Sequence, residues 1–544
     1  LFLLKDGISA TFYQSEFGQF WQDAMFGNPE LDVFHPDLIY IHTSVRNITD
    51  VPRVADDAKR VDGLLKSEYD RFESVWRALS EKFKCPIIQN NFDYPAYRLL
   101  GNNDAVLTSG LVGFVSKLNA LFAEYARRTP SFYISDLNYV SACYGLDRWH
   151  DVRAWSLFKY CCAIEAIPTL AFNVFRIVKA IFGKNKKAFV LDLDNTLWGG
   201  VVGDDGVEKL QIGEETAEAQ AYLDFQRYLR EHLQLGVILN VDSKNEEGNA
   251  LAGLRHPDGA LKPDDFIVIK ANWEPKDRNL LQIAKELNLT PDSLLFVDDN
   301  PAEREIVAQG AKADAPDIGT VADYVRVLDR NGFFENVGLS ADDLTRVKMY
   351  RDNAARTKAE SSFANYGEYL KSLDMTAVIC PFSRLYLERI AQLTNKSNQF
   401  NLTTKRFTLD QVTAEAQDAD KLTLYGRLRD KFGDNGIVSL AIGRIEGDAC
   451  HLELWLMSCR VLKRDMEFAM MDELVRRCRL RGVRKVFGYY YPTAKNGMVR
   501  DFYALQGFSK VSEDAEGNTV WLLDIGSGYG RKNKYIKVEE GEPT

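Results

Sequence analysis

The chain has 544 residues, more than one hydrophobic core normally supports, so three or four domains are expected. A formal net charge of −10 disfavours binding to nucleic acid, because affinity for a polyanion comes mainly from Lys and Arg. No apolar run reaches the roughly 18 residues of a membrane span, so no membrane association is expected. Eight cysteines without a C-x-x-C pair favour reduced thiols and a cytoplasmic protein, and six scattered histidines argue against a zinc site.

Residues 1–180 predict a separate α/β domain, because short β-rich runs alternate with helical stretches. Within it, the run from Asp147 to His150 reads D-R-W-H and resembles the D-x-x-H block of the SGNH hydrolase fold. In that fold the Asp and His assist a serine nucleophile. The serine block expected near the first strand is absent, so we expect a domain that serves docking or orientation without hydrolase activity.

The first chemical signal is an apolar run that ends in two carboxylates, Asp192 and Asp194, followed by Thr196. Strand side chains alternate, so both carboxylates leave the strand end in the same direction, where they suit a hard cation. One carboxylate can attack phosphorus while the second moves protons. A solvated loop is the alternative explanation for this run taken alone.

Further polar groups follow two later apolar runs or open a predicted helix: Ser243 with Lys244 and Asn245, then Lys276, then Asp298 with Asp299. Ligands of open parallel sheets lie beyond the carboxyl ends of the strands, so these groups can converge with the first pair. Each group alone is equally compatible with a helix cap or a surface charge. Their common order along the chain is what favours a phosphoryl-transfer site.

Over residues 186–325 this order of motifs resembles the haloacid dehalogenase (HAD) superfamily of Mg²⁺-dependent phosphatases and phosphotransferases. The resemblance implies that Asp192 is the nucleophile and Asp194 the general acid/base. It implies that Mg²⁺ is bound by Asp192, Asp194, Asp298 and Asp299. It also implies a phosphate-binding set made of Thr196, Ser243, Lys244, Asn245 and Lys276. The glycine-rich stretch 199–206 looks like a small flap, so no large cap domain is expected.

Residues 340–527 carry a second recognisable region. A strand near 452–457 followed by a helix near 466–481 resembles the α+β fold of GNAT acyltransferases. The loop 460–465 lacks the glycines that allow close approach to a coenzyme A pyrophosphate, so ordinary coenzyme A binding is not expected. A possible acyl-transfer site is predicted from six polar residues: Asn395, Asn398, Asn401, Asp434, Asn435 and Arg460.

The HAD core, the amide-rich segment 395–404, the GNAT-like region and the SGNH-like leader together resemble the FkbH family over nearly the whole chain. Members of that family take 1,3-bisphosphoglycerate, remove phosphate and load the glyceryl group onto the phosphopantetheine thiol of an acyl carrier protein in polyketide-type biosynthesis. In that scheme an enzyme cysteine holds the acyl group in transit. Cys459 fits this role best because Arg460 favours a thiolate, with a buried structural cysteine as the alternative.

The sequence therefore predicts a multidomain α/β enzyme with a central Rossmann-like HAD domain between an SGNH-like domain and a GNAT-like domain. The expected activity is Mg²⁺-dependent phosphatase and glyceryl transfer, with a small acyl phosphate as substrate and an acyl carrier protein as partner. One alternative is a phosphatase for a sugar phosphate or a phosphoprotein. The other is a non-catalytic scaffold that recruits carrier proteins.

Two further expectations concern the surface. The densest basic cluster is a candidate docking face for an acidic carrier protein, with a solvated helix face as the alternative. It consists of Arg476, Arg477, Arg479, Arg481, Arg484 and Lys485. The tail 528–544 is rich in Gly, Lys and Glu, which predicts disorder.

Overall fold

The computed structural model describes residues 1–339, 341–360, 362–397 and 399–539, without the side chains of residues 341, 342 and 459. The chain divides into two compact units. The first unit is Leu1–Ile181 with Thr408–Gln411, and the second is Phe182–Phe407 with Val412–Thr544. Within the described residues, no helix is both long and apolar enough to cross a bilayer.

The first unit is built on a three-stranded parallel sheet in the order β1-β2-β3. Its strands are β1 (Ile39–Ile41), β2 (Ile87–Asn90) and β3 (Phe132–Ser135). Its helices are α1 (Phe2–Lys5), α2 (Phe20–Phe26), α3 (Pro29–Phe34), α4 (Ala58–Phe83), α5 (Leu111–Arg128), α6 (Leu137–Tyr144), α7 (Leu146–Trp149), α8 (Val152–Phe158) and α9 (Ile167–Ile181). Helix α4 buries one stripe, and its Trp76 ring packs against Phe122 of α5 at 4.7 Å between ring centres.

The second unit begins with a four-stranded parallel sheet in the order β6-β5-β4-β7. Its strands are β4 (Ala188–Leu191), β5 (Ile238–Ser243), β6 (Phe266–Ala271) and β7 (Leu294–Val297). Its helices are α10 (Val202–Asp205), α11 (Ala217–Gln234), α12 (Glu247–Leu254), α13 (Lys276–Glu286), α14 (Pro301–Gly310) and α15 (Tyr324–Arg330). Alternate strand residues join two separate apolar layers, so both faces of this sheet are covered, as parallel sheets require.

An eight-stranded mixed sheet follows in the order β13-β14-β12-β11-β10-β9-β8-β15. Its strands are β8 (Met375–Cys380), β9 (Lys421–Asp430), β10 (Gly433–Glu446), β11 (Ala449–Met457), β12 (Lys485–Tyr490), β13 (Ser509–Glu513), β14 (Thr519–Asp524) and β15 (Ile536–Glu539). The helices around it are α16 (Ala341–Glu360), α17 (Tyr366–Ser372), α18 (Leu387–Lys396), α19 (Leu409–Gln417), α20 (Met466–Leu480) and α21 (Phe502–Leu505). The predicted multidomain α/β class is confirmed.

The predicted disorder from residue 528 is wrong for the strand β15. Ile536 pairs with Met375 and opens a parallel ladder along the edge of the large sheet. Upstream, the Tyr529 hydroxyl donates a hydrogen bond to Asp472 at 2.8 Å. The composition of the tail did not indicate a strand, because the strand forms only against the free edge of β8. In that strand Ile536 is buried and Val538, two residues later on the same face, is half-buried.

Candidate active site

The candidate site lies at the carboxyl edge of the four-stranded parallel sheet. Strands β4 and β7 end at Leu191 and Val297, so Asp192 and Asp298 follow directly at neighbouring strand ends. Ser243 closes β5, and Lys276 opens α13. A parallel sheet brings such groups to one edge, which is where ligands of open α/β sheets bind.

Three carboxylates form an acidic cluster at this edge: Asp192, Asp298 and Asp299. Each offers an oxygen within 4.8 Å of the others. Burial raises the pKa of Asp298 and of Asp299, and the charge of Asp192 raises both further. Oxygen donors of this kind fit a hard dication such as Mg²⁺, which would relieve the repulsion among them.

Lys276 is the cation that balances part of this cluster. Its Nζ lies 2.5 Å from Asp298 and 3.0 Å from Asp192. Burial lowers the pKa of Lys276, but the charges of Asp192 and Asp298 outweigh burial and hold the pKa above its usual value. One ammonium against three carboxylates leaves two negative charges, which is further reason to expect a divalent cation.

Asp194 lies outside the acidic cluster, although the sequence placed it among the metal ligands. Its carboxylate accepts hydrogen bonds from the Trp198 indole at 2.9 Å, the Val202 N–H at 3.0 Å and the Asn245 amide at 2.8 Å. Burial raises the pKa of Asp194. A carboxyl that keeps its proton more readily is suited to general acid catalysis, so the geometry favours the proton-transfer role over direct side-chain ligation.

The predicted phosphate-binding residues divide into two groups. Ser243 and Thr196 are both buried. Ser243 lies at the end of β5, the strand next to β4, and the Thr196 hydroxyl lies 3.2 Å from an Asp299 oxygen. Asn245 and Lys276 contact Asp194 and Asp192, as described above. Lys244 instead forms an ion pair with Glu303 at 2.6 Å, in which only the Lys244 side is exposed, so its ammonium already has a partner.

Sequence reasoning missed Asp242 and Asn279. Asp242 is fully buried in β5, where the Asn279 amide donates to one of its oxygens at 3.0 Å. Burial raises the pKa of Asp242 to about 8. The available signal was helical spacing, because Asn279 stands three residues after Lys276 and therefore on the same face of α13.

The glycine-rich stretch forms a short flap, as the sequence predicted. Gly199 exchanges backbone hydrogen bonds with Gln211 at 3.1 and 2.9 Å. Gly200 has a φ of +95°, a conformation that L side chains rarely adopt. Between β4 and the flap, Asn195 also has a positive φ and accepts a hydrogen bond from the Tyr222 hydroxyl through its carbonyl, which fixes the turn after Asp194.

Where the structure describes it, the amide-rich segment is largely buried and takes part in the large sheet. Strands β11 and β12 pair over only three residues, 449–451 with 485–487. Beyond that point the segment inserts between them. The Leu402 N–H donates to the Trp455 carbonyl at 3.0 Å, and the Tyr491 N–H donates to the Leu402 carbonyl at 2.9 Å. Asn401 is buried there, and its predicted acyl-transfer role finds no open surface.

Among the described residues, the other predicted acyl-transfer residues fall into two groups, with Asn395 in one and Asp434, Asn435 and Arg460 in the other. The Asn395 amide donates to the Ala391 and Phe407 carbonyls, while Asn435 and Arg460 meet through hydrogen bonds with Arg464. Asp434 pairs with Arg427, and both line a cavity of about 270 Å³. Asn398 lies outside the described residues. Cys459 begins a 3₁₀ turn, Cys459–Val461, and its side chain lies outside the description.

The SGNH-like pair is separated in the first unit. Asp147 is exposed on α7, whereas His150 turns inward and donates through Nε2 to the Tyr94 carbonyl at 2.8 Å. The carboxylate near His150 is Asp93, at 3.9 Å. The D-x-x-H spacing therefore does not produce an Asp–His pair here.

Comparisons with known proteins agree with the division of the chain near residue 181. Residues 4–179 match the family model described as FkbH, N-terminal domain. The crystal structure of the N-terminal part of the protein BF1531 from Bacteroides fragilis, containing a phosphatase domain complexed with Mg, is 29% identical. It covers 62% of this chain and 89% of its own, with a TM-score of 0.57. No curated protein matches the chain.

Two acetyltransferases align with the C-terminal part. The ribosomal-protein-S18-alanine N-acetyltransferase from Escherichia coli is 15% identical and covers 29% of this chain and 99% of its own, with a TM-score of 0.23. The PaiA N-acetyltransferase from Thermoplasma acidophilum, in complex with coenzyme A, is 14% identical. The alignment covers 27% of this chain and 99% of the acetyltransferase, also with a TM-score of 0.23.

The four-stranded sheet and its strand-end carboxylates resemble the phosphatase domain of the Bacteroides fragilis protein, as the predicted HAD-type resemblance implies. The region that precedes this sheet matches the FkbH N-terminal domain over residues 4–179. The FkbH-like resemblance predicted from the sequence is thereby confirmed.

Proposed function

We propose that this protein is a Mg²⁺-dependent phosphatase and acyltransferase. In this proposal it takes 1,3-bisphosphoglycerate or a similar acyl phosphate and loads the short acyl unit onto the phosphopantetheine thiol of an acyl carrier protein, as in polyketide-type biosynthesis. The observation that carries the phosphatase part is the convergence of Asp192, Lys276, Asp298 and Asp299 at one sheet edge. The FkbH N-terminal domain supports the acyl-transfer part.

The site residues fit a two-step removal of an ester phosphate. An Asp192 oxygen attacks phosphorus, the bond from phosphorus to the ester oxygen breaks, and Asp194 gives its proton to the departing oxygen. Water then attacks the aspartyl phosphate while Asp194 takes a proton back. Lys276 holds the Asp192 carboxylate in place through its 3.0 Å contact. A Mg²⁺ ion bound by Asp192, Asp298 and Asp299 supplies neutralisation of phosphate charge.

A bisphosphorylated acyl substrate requires a second chemistry. Its acyl phosphate is an activated carbonyl, so a thiol can attack the carbonyl carbon and expel inorganic phosphate as the thioester forms. In the proposal Cys459 provides that thiol before the acyl group passes to the carrier protein. The two phosphates therefore leave by different routes, one through Asp192 and one through a thiol.

Mass spectrometry separates these routes. The full chain is incubated with Mg²⁺, 1,3-bisphosphoglycerate and a phosphopantetheinylated carrier protein, and the carrier is weighed. Wild type should give a glyceryl adduct. Asp192→Asn should give an adduct that keeps its ester phosphate, while Asp204→Asn, an exposed carboxylate of α10, should behave as wild type. Phosphate release with no adduct would instead identify a plain phosphatase for other phosphate esters.

Some arginines of the basic cluster proposed as the carrier-docking face also form contacts that stabilise the fold. Arg477 pairs with Glu473 at 2.6 Å, and Arg481 donates to the Ala419 and Lys421 carbonyls. Reversal of Arg481 would therefore disturb the fold together with the surface charge. Arg476 also pairs with Glu473, at 2.7 Å. Lys485, exposed at the first position of β12, is therefore the better position for a charge reversal, with loss of carrier loading but not of phosphate release as the expected result.

A further inference from the structure

A second group of reactive side chains lies in the first unit, at the carboxyl edge of its own parallel sheet. Strand β1 ends at Ile41, so His42 follows the strand end directly, and Tyr40 stands two residues earlier. Cys161 comes from the loop between α8 and α9. This edge is the ligand-binding position of open α/β sheets.

The three side chains form a connected relay. The Nε2 atom of His42 lies 2.9 Å from the Cys161 Sγ, and Nδ1 lies 2.9 Å from the Tyr40 hydroxyl. If Nδ1–H donates to the Tyr40 oxygen, Nε2 is left free to accept the thiol proton. A nucleophile bonded to a base that a third group orients is the arrangement found in thiol and hydroxyl acyl-transfer enzymes.

Exposure and protonation favour a thiol that is activated at the moment of attack. Cys161 is half-buried and His42 exposed, whereas the adjacent Cys162 is fully buried. The pKa of Cys161 is raised by the hydrogen bond between Cys161 and Cys162 and by burial, although His42 lowers it. Desolvation of the ring lowers the pKa of His42, but its hydrogen bond with Cys161 and the nearby charges of Cys161 and Asp93 together hold the pKa above its usual value. A neutral thiol beside a basic imidazole is a general-base pair.

We propose that the FkbH N-terminal domain holds a second active site, in which Cys161 accepts an acyl group from an activated ester or thioester. His42 is the catalytic base and Tyr40 a positioning residue. The Cys161 sulfur bonds to the carbonyl carbon, and the thiol proton passes to His42. The bond from the carbonyl carbon to the leaving oxygen or sulfur then breaks, and His42 returns the proton to that leaving group. This activity needs neither Asp192 nor a divalent cation, so it goes beyond the function proposed above.

The test uses the full chain and p-nitrophenyl acetate, in EDTA so that the result does not depend on the phosphatase site. Nitrophenolate release gives the acylation rate, and peptide mass spectrometry locates the acetyl group. We expect the acetyl group on the peptide that contains Cys161. Cys161→Ser should lose that adduct, and Cys143→Ser, a half-buried cysteine of the same unit, should acylate as wild type. Circular dichroism checks that each variant is folded.

Two more variants test the relay while keeping the thiol. His42→Gln should slow acylation of Cys161 by roughly 100-fold or more, since a general base contributes about 10²–10⁴-fold. Tyr40→Phe should lower the maximal acylation rate with the half-saturating ester concentration unchanged, the signature of lost positioning. Acetylation of Cys161 at the wild-type rate in His42→Gln, or an adduct on another cysteine only, would overturn the proposal.

Discussion

Lys276 gives a sharp test of the electrostatics at the acidic cluster of Asp192, Asp298 and Asp299. Its ammonium is almost fully buried and contacts Asp298 at 2.5 Å and Asp192 at 3.0 Å. Lys276→Met keeps most of the side-chain volume but leaves two carboxylates facing each other without a cation. Removal of one partner from a buried ion pair costs about 3–5 kcal/mol, so we expect a loss of that size without a divalent cation.

Mg²⁺ should reverse much of this loss. A ligand at 100 times its Kd stabilises the folded state by about 2.7 kcal/mol, and the variant offers the ion a cluster with one more unbalanced negative charge. Amide hydrogen exchange of β4 and β7 reports on this sheet without averaging over the whole chain. The expected result is faster exchange in Lys276→Met, with most of the protection regained in Mg²⁺.

Lys244→Met is the matched control. Lys244 also pairs with one carboxylate near the same sheet edge, but its side chain is 39% exposed, against 3% for Lys276. Water screens such an ammonium, so a contribution of about 0–1 kcal/mol is expected. Its exchange should hardly change. Unchanged exchange in Lys276→Met, or a loss that Mg²⁺ does not affect, would refute the electrostatic account.

Three further outcomes are expected. Because burial raises the pKa of Asp242 to about 8, the folded state binds more protons than the unfolded chain between about pH 4 and pH 8. The free energy of unfolding should therefore fall as pH rises through this window, by at most about 1.4 kcal/mol per pH unit. In Asp242→Asn the free energy of unfolding, measured by chemical denaturation, should change less with pH. Asp194→Asn should slow phosphate release from an alkyl phosphate by about 10²–10⁴-fold but slow release from p-nitrophenyl phosphate far less, because only the poor leaving group needs a proton; equal losses would remove the acid role. Leu402→Ala should lower the free energy of unfolding by about 2–5 kcal/mol, since Leu402 is fully buried between β11 and β12, whereas Leu480→Ala at an exposed position should have little effect.

The convergence of carboxylates at the sheet edge could be predicted from the sequence because its geometry follows from local rules. An apolar run that ends in a carboxylate places that group at a strand end. Parallel pairing then brings the ends of neighbouring strands to the same edge of the sheet. Asp192 and Asp298 met in this way through β4 and β7. The hydrogen-bond partners of Asp194 were harder to predict. The Val202 N–H reaches Asp194 only because the flap folds back toward the strand end.

The C-terminal predictions depended on tertiary context that composition does not contain. The amide-rich run containing Asn401 was predicted to contribute to an acyl-transfer site, yet its backbone fills the gap between the diverging strands β11 and β12. Ile536 looked like part of a polar tail, yet it pairs with the open edge of β8. In the first unit, Tyr40, His42 and Cys161 are separated by up to 121 residues, so only the fold brings them together.

The central claim is a divalent-cation site formed by Asp192, Asp298 and Asp299. Anomalous diffraction from crystals soaked in Mn²⁺, a hard cation that substitutes for Mg²⁺ at oxygen sites, tests it directly. The account predicts one strong peak bonded to oxygens of these three carboxylates, and no peak there in Asp298→Asn crystals. A peak at other residues, or an unchanged peak in the variant, would contradict it.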